Sequence, residues 1–593
     1  MTDRSATTER QFAIGIVLVA AVALAVRVIY PTADPPWQAT VGVVWHDEGA
    51  WVHNARNKAL FGAWTLDAWN PMYIAPVFTA LEYLSFAAFG VGVWQARLVS
   101  EVTGFLSVLL LAFGVMRVAG RDAALIAAAL VATNYVYVTW NRAALMEGSM
   151  AAFIVFSWYC YARAQSAPAW GAAAAAFALL AYFTKAAAVF FVGALGLEAV
   201  TAFVVASRRG DALERKAAMA TLAGLVGFGV VALAVFVAPN WTDYRFYNWQ
   251  MSVTRKPSYD LRSLMDRVTW FPVVHDIFTR MWFTVVVALL ALLGWVARRR
   301  SLGAPERLLA GWVALGALEL LLHDTGNERR FIFFIPAMIA IAAIALGRDR
   351  RILPAEAAAI SRTRLLAAMP VVLYALYVVF GAVLRLTRIY VPGPGVRLGA
   401  AAAVLAAGLV FATWPRAARF LSTSAVSARA ALLVVTLVSA GQLGQFIQWA
   451  AGRSYKNYEA SRALAAILPP GTLVHGKLAN GLSLENGIKP VFVGREFGNY
   501  ADRKQRDDVR YILTYVAPRL GYEGSVILDV LDAYPNRTII KTFDVAETAS
   551  GHDRAALVDK FGGRDAAGAG AAEPGGSGRA RGTEGQGITR AHD

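Results

Sequence analysis

The sequence has one cysteine, Cys160, and it lies inside an apolar run. A disulfide within one chain is therefore excluded, and so is a zinc site built on cysteines. Charge is also scarce: 16% of residues are Asp, Glu, Lys or Arg, against about 25% in a soluble globular chain. There are seven histidines. Two of them flank an acidic pair, yet the spacing HDEGAWVH is not the H-E-x-x-H of a zinc hydrolase. No Gly-rich phosphate loop is present. No small-residue cleavage site follows the first apolar run, which leads into Tyr30-Pro31. That run reads as an anchor rather than a cleaved signal peptide.

What fills the chain is hydrophobic sequence, 57% of it, with a mean hydropathy of +0.48. Residues 11–30, 97–116, 122–140, 148–165, 169–184, 186–206, 218–238, 279–297, 308–322, 331–346, 365–384, 396–414 and 430–450 are nearly uncharged runs. Most approach the roughly 20 residues a helix needs to cross about 30 Å of hydrocarbon, predicting about thirteen transmembrane helices. The net charge of +17 does not point to nucleic acid, because the arginines gather in alternate short loops. Arg117 and Arg121, Arg208 and Arg209, Arg298 to Arg300, Arg348 to Arg351, and Arg416 and Arg419 mark the cytoplasmic side. The N-terminus is then cytoplasmic and, with an odd helix count, the C-terminus lies outside. An Ala- and Arg-rich chain without disulfides suits a bacterial inner membrane.

The expected fold class is an all-α polytopic membrane protein with a small α/β extracytoplasmic domain at its C-terminus. Residues 1–452 form the membrane domain, with the long outer loop 31–96. Residues 453–561, where charge and short β-rich runs return, form the α/β domain, with a helix near 457–468 and strands near 471–474, 491–493, 511–516 and 526–531. The Gly/Ala/Arg/Glu-rich stretch 562–593 reads as a disordered tail. In the outer loop, residues 47–61 put Trp51, Val52, Ala55, Ala59 and Leu60 on one face with Gly62 as C-cap, an amphipathic helix at the membrane interface. Residues 72–89, broken by Pro76 and Glu82, read as a re-entrant or surface helix.

Chemistry gathers on the outer side. Asp47-Glu48 opens the interfacial helix. Adjacent carboxylates can serve as general base, as metal ligands, or both, and Asp47 can equally be an N-cap with Glu48 favoured by the helix dipole. Arg142 and Glu147 follow in the next outer loop, where Glu147 can be a helix-start acid and Arg142 an interfacial snorkelling side chain. Lys185 stands midway in a long apolar stretch, which is costly without water or an anion. Arg329 and Arg330 precede the run at 331–346, on the face where the charge bias expects few cations. Arginine pairs grip phosphate with bidentate hydrogen bonds. Acids and cations converging on one face suggest a hydroxyl to deprotonate and a phosphate to release.

The order of motifs carries a resemblance. Asp47-Glu48, NPMYIAP at 70–76, the Phe89-Gly90 pair, Arg97, NRAALMEG, YFTKAAAVFF and ERRFIFFIP follow one another. Together they resemble the type-C-fold polyprenyl-phosphate-sugar-dependent glycosyltransferases, in the branch of the lipid A aminoarabinose transferases and protein O-mannosyltransferases. The likeness covers about the first 350 residues as ordered motifs. It implies catalytic Asp47 and Glu48, an acidic partner at Glu147, and donor-phosphate contacts from Lys185 and Arg330, helped by Arg329 and Arg142. Departures are Trp51 where Tyr is usual, Glu147 where many members have Asp, and NPMY for Pro-Pro-Leu-Tyr. These bear on the sugar and the acceptor.

The resemblance implies inverting transfer of a hexosyl or pentosyl group from a polyprenyl-phosphate donor to a hydroxyl of a glycan, lipid or protein, as in lipopolysaccharide or glycan biosynthesis. Asp47 is then the base and Glu48 orients it. A divalent metal between Asp47 and Glu147 is compatible with the sequence. The alternatives are a lipid-linked sugar flippase or transporter, and an O-antigen-ligase-like enzyme.

Overall fold

The computed structural model describes residues 7–36, 46–250, 276–297, 302–323, 328–350, 361–387, 394–423, 426–493, 497, 499, 502–516, 530–546 and 553–562. Each apolar run of the sequence contains a helix. The first, Glu9–Val28, starts in a capping box in which Thr8 and Gln11 exchange hydrogen bonds. Among the described residues seven helices are long and apolar enough to cross a membrane. The count is eight if Arg121–Thr133 and Tyr135–Asn141, bent by 61°, form one broken span. The bend sits at Asn134, whose side chain accepts from Tyr137 N and restarts the helix.

Several of the remaining apolar helices are shorter. Phe334–Ile344 is buried along its whole length. Its uniform hydrophobicity therefore reflects the bundle centre rather than contact with lipid. By contrast, the span from Ala212 to Val237 has 11% of its apolar window buried and lies at the periphery. Val93–Ala119 and Met146–Ala164 form the centre. A Cβ on Gly114 would come within 2.4 Å of the Trp158 ring, so glycine there permits close helix approach.

The expected outer-loop helix is broken in two, Asp47–Trp51 and His53–Phe61, and ends as expected at Gly62 in the left-handed region (φ 77°). Of the expected apolar face, Val52 and Ala55 are buried and Ala59 and Leu60 exposed, and the polar residues His53, Asn54, Arg56 and Asn57 are buried as well. The C-terminal domain covers this polar face and supplies partners for His53 and Arg56, while Asn54 bonds to Trp64, Asn70 and Met72 of the same loop. Pro76–Phe89 is a separate helix of 14 residues, too short to span.

The C-terminal domain begins with the helix Lys456–Ala465. Strands β1 (Leu473–His475), β2 (Lys489–Val491), β3 (Tyr511–Tyr515), β4 (Thr538–Val545) and β5 (Asp553–Asp559) form one sheet in the order β2-β1-β3-β5-β4. β1 is parallel to β2 and β3, with Val474 opposite Pro490 on one side and Tyr511 on the other; β5 runs antiparallel to β3 and β4. The expected strand near 526–531 lies mostly outside the described residues. The hairpin β4–β5 is not expected from the sequence, because four successive residues of β4 are exposed and hide the alternation. The tail from 563 lies outside the described residues.

Candidate active site

The Asp47–Trp51 helix stands where the bundle meets the sheet domain. His46, not Asp47, occupies its N-cap, and no side chain caps it. Both carboxylates therefore lie in the first turn with their oxygens turned to other partners. Glu48 is gripped by Arg97, with Nε to Oε1 at 2.8 Å and Nη2 to Oε2 at 2.7 Å. Glu48 also accepts from Ala144 N at 2.9 Å. Arg97 in turn donates to the carbonyls of Pro31 and Ala33. This paired geometry is the strong form of the arginine–carboxylate contact.

Asp47 faces the other way. Its Oδ2 accepts from Arg329 Nη1 at 2.9 Å, and its Oδ1 lies 3.9 Å from His46 Nε2. The same Arg329 approaches Glu147, Nε to Oε1 at 3.4 Å. Glu147 opens the Met146–Ala164 helix, is wholly buried, and takes a short hydrogen bond from Lys185 Nζ. Its Oε2 has no hydrogen-bond partner among the described residues. Lys185 sits in an extended link (φ −157°, ψ 123°) that ends Trp170–Thr184 before the next helix begins. Arg330 lines the same small cavity with Glu147, Lys185 and Arg329. Four segments far apart in sequence thus place acid, cation, acid and cation in one cluster. Its Asp47–Arg329 side is partly exposed.

Arg142 is not in this cluster. Its guanidinium donates to the carbonyls of Val26, Arg27, Ile29 and Tyr30 and lies over Trp449 at 4.7 Å. It closes the C-terminal end of the first helix, and doing so occupies the donors a phosphate would need. A divalent metal between Asp47 and Glu147, which the sequence leaves open, does not fit this arrangement. Arg329 bridges the two acids, so a cation there would have to displace a guanidinium. Among the described residues no group of three or more His, Cys, Asp or Glu is arranged to hold a metal.

The acidic turn is held from behind by the sheet domain, a role that nothing in the domain's own sequence announces. A Cβ on Gly49 would fall 1.9 Å from Asn480 O, so the domain backbone touches this turn directly. Asn480 Nδ2 lies 3.0 Å from His53 Nδ1, and His53 Nε2 lies 2.8 Å from Asp67 Oδ1. Asp67 Oδ2 accepts from Phe492 N. Arg56, fully buried, donates to the carbonyls of Ser483, Asn486 and Ile488. The available signal is the run of polar residues, HNARN, where an interfacial helix would be mostly apolar on one side.

Residues 71–248 match the family model of dolichyl-phosphate-mannose-protein mannosyltransferases. That stretch carries Arg97, Glu147 and Lys185. The crystal structure of ArnT from Cupriavidus metallidurans in the apo state superposes with a TM-score of 0.52 at 18% identity, covering 93% of this chain and 98% of that one. This chain shares that fold. The same protein bound to undecaprenyl phosphate gives 0.48 at 17% identity, over 92% and 97%. An oligosaccharyltransferase of Archaeoglobus fulgidus gives 0.42 at 12%, over 86% and 70%. No curated protein matches the sequence. The resemblance drawn from the ordered motifs is borne out by the family model and the shared fold.

Proposed function

We propose that this protein is an integral-membrane glycosyltransferase that moves a sugar from a polyprenyl-phosphate carrier to an acceptor hydroxyl at the outer face of the cytoplasmic membrane. The observation that carries the reading is the bridge Asp47–Arg329–Glu147–Lys185, built from four separate segments where the bundle meets the sheet domain. Asp47, on the partly open side, takes the proton from the acceptor hydroxyl. The acceptor oxygen bonds to the anomeric carbon as the bond from that carbon to the phosphate oxygen breaks, with inversion. The electron pair leaves with the lipid phosphate, whose charge is met by Lys185 and Arg330 with help from Arg329. Glu147 orients Lys185 and Arg329, and Glu48, committed to Arg97, fixes the turn that carries Asp47.

The flippase and ligase readings are disfavoured. A flippase has no use for a carboxylate fixed beside a guanidinium in a braced turn, and the family model and fold are those of sugar transferases. Purified protein in proteoliposomes given a polyprenyl-phosphate sugar and a mixture of membrane lipid acceptors tests the reading. Release of polyprenyl phosphate with labelled product supports it; a donor translocated but left intact contradicts it.

A further inference from the structure

Glu82 takes no part in the chemistry above, yet it is a carboxyl group sealed inside the outer loop. It lies on the helix Pro76–Phe89 and is completely buried. Neither of its carboxyl oxygens has a hydrogen-bond partner among the described residues. Residues three and four apart share a helix face, and on this face Glu82 sits between Phe78 and Phe86, both buried. Thr79, one turn earlier, has a buried Oγ1 that is likewise without a partner among the described residues.

The elements packed against this helix bring cations, but these are bound elsewhere. On His53–Phe61, Arg56 donates to the carbonyls of Ser483, Asn486 and Ile488, Lys58 donates to the carbonyl of Gly62, and His53 meets Asp67. On Val93–Ala119, Arg97 is held by Glu48 and by the carbonyls of Pro31 and Ala33, and Glu101 adds a further buried acid. Pro71–Tyr73 and Trp170–Thr184 bring tyrosines but no charged residue. The charge that acts on Glu82 is that of Glu48, and it is a like charge. Burial first, and Glu48 second, raise the Glu82 pKa well above 4.5. A carboxylate kept from water without a cation or a donor is so costly that such a group retains its proton instead.

We propose that Glu82 is a positioning residue that works as a neutral carboxylic acid: by staying uncharged it leaves the ionised Glu48 in its two hydrogen bonds with Arg97, and so steadies the turn that presents Asp47. An ionised Glu82 would repel Glu48 through an apolar medium, where like charges are poorly screened. The neutral acid exerts no such force. The effect on turnover rests on the sugar-transfer reading, whereas the charge state of Glu82 does not.

The test compares the full-length protein with Glu82→Gln, which keeps the shape and cannot ionise. The infrared difference spectrum of the two at neutral pH should show the carbonyl band of a protonated carboxylic acid in the unmodified protein. A carboxylate band in its place would overturn the proposal, and Glu82→Met serves the same subtraction if Glu82→Gln folds poorly. Melting supplies a second reading. Above 4.5 the folded protein holds a proton that the unfolded chain has released, so Glu82 costs stability as pH rises. The melting temperature of Glu82→Gln relative to the unmodified protein should therefore climb from about pH 5 to about pH 8, and a flat or falling difference would contradict this. The positioning role is read from turnover in proteoliposomes. The ratio of unmodified to Glu82→Gln turnover should fall by roughly threefold or more as pH rises from about 7 to about 10, because every other titrating group is common to both. A constant ratio would overturn that role. Absence of sugar transfer by the unmodified protein would instead fail the transferase reading, and the infrared and melting results would still decide the charge state of Glu82.

Discussion

Glu48 and Arg97 meet through two parallel hydrogen bonds of 2.8 and 2.7 Å, both side chains buried. The pair gives the two acids of one motif different roles. Glu48 is committed to structure, and Asp47 is left facing Arg329. Arg97→Met would leave a buried carboxylate unpaired, at a cost of roughly 3–5 kcal/mol. Replacing both residues with Met should recover much of that loss in a thermal melt, because the unpaired charge goes too. Equal melting points for the single and double variants would contradict the assignment.

Arg56 ties the acidic turn to the sheet domain through three carbonyls. Hydrogen bonds to a charged group contribute about 1.5–3 kcal/mol each. Arg56→Ala should therefore raise amide exchange in residues 477–492 and lower turnover, while exchange in β3 and β5 stays slow. Unchanged exchange at 477–492 would show that the domain is held elsewhere.

Lys185 and Arg330 are assigned to the departing phosphate. Either one changed to Met should cut kcat/KM for the donor by about a hundredfold or more, the scale of losing one charge-stabilising donor. The effect on the acceptor KM should be small. A loss confined to the acceptor KM would move these cations to the wrong substrate.

The sheet domain carries its own pH dependence. His475 is buried, 3.3 Å from Lys560 Nζ. Burial first, and the lysine second, push its pKa from 6.5 down to about 3. Between those values the unfolded chain binds the extra proton, so stability falls as pH drops below about 6.5 and the penalty is complete near 3. Exchange of β1 and β3 amides should accelerate between pH 7 and pH 4.5, and His475→Gln should flatten that limb. A wild-type profile that stays flat over this range would contradict it.

How much of the molecule is legible in the sequence follows from range. The helices are, because each needs a continuous uncharged run and nothing from elsewhere. The gathering of Asp47, Glu147, Lys185, Arg329 and Arg330 is legible as well, since charges set against apolar runs are costly without partners. Partner choice is not. Nothing local distinguishes Arg142, which closes a helix end, from Arg329, which bridges two acids. The buried face of 47–61 is hidden because its cover comes from residues more than 400 positions later, such as Ile488. Glu48 looks like an orienting acid because Arg97, 49 residues away, cannot be paired to it by spacing.

The central claim is that Asp47 is the base, and Asp47→Asn tests it most directly. The substitution keeps the shape, and because Asp47 does not cap its helix, it removes one charge beside a partly exposed Arg329. Asp47 is buried, but Arg329 keeps its contact with Glu147, so the loss of stability should be smaller than for Arg97→Met. Turnover of a polyprenyl-phosphate sugar in proteoliposomes should fall by about a hundredfold to ten-thousandfold. Turnover within about threefold of the unmodified protein, with an unchanged melt, would contradict the account and point to Glu147 as the base.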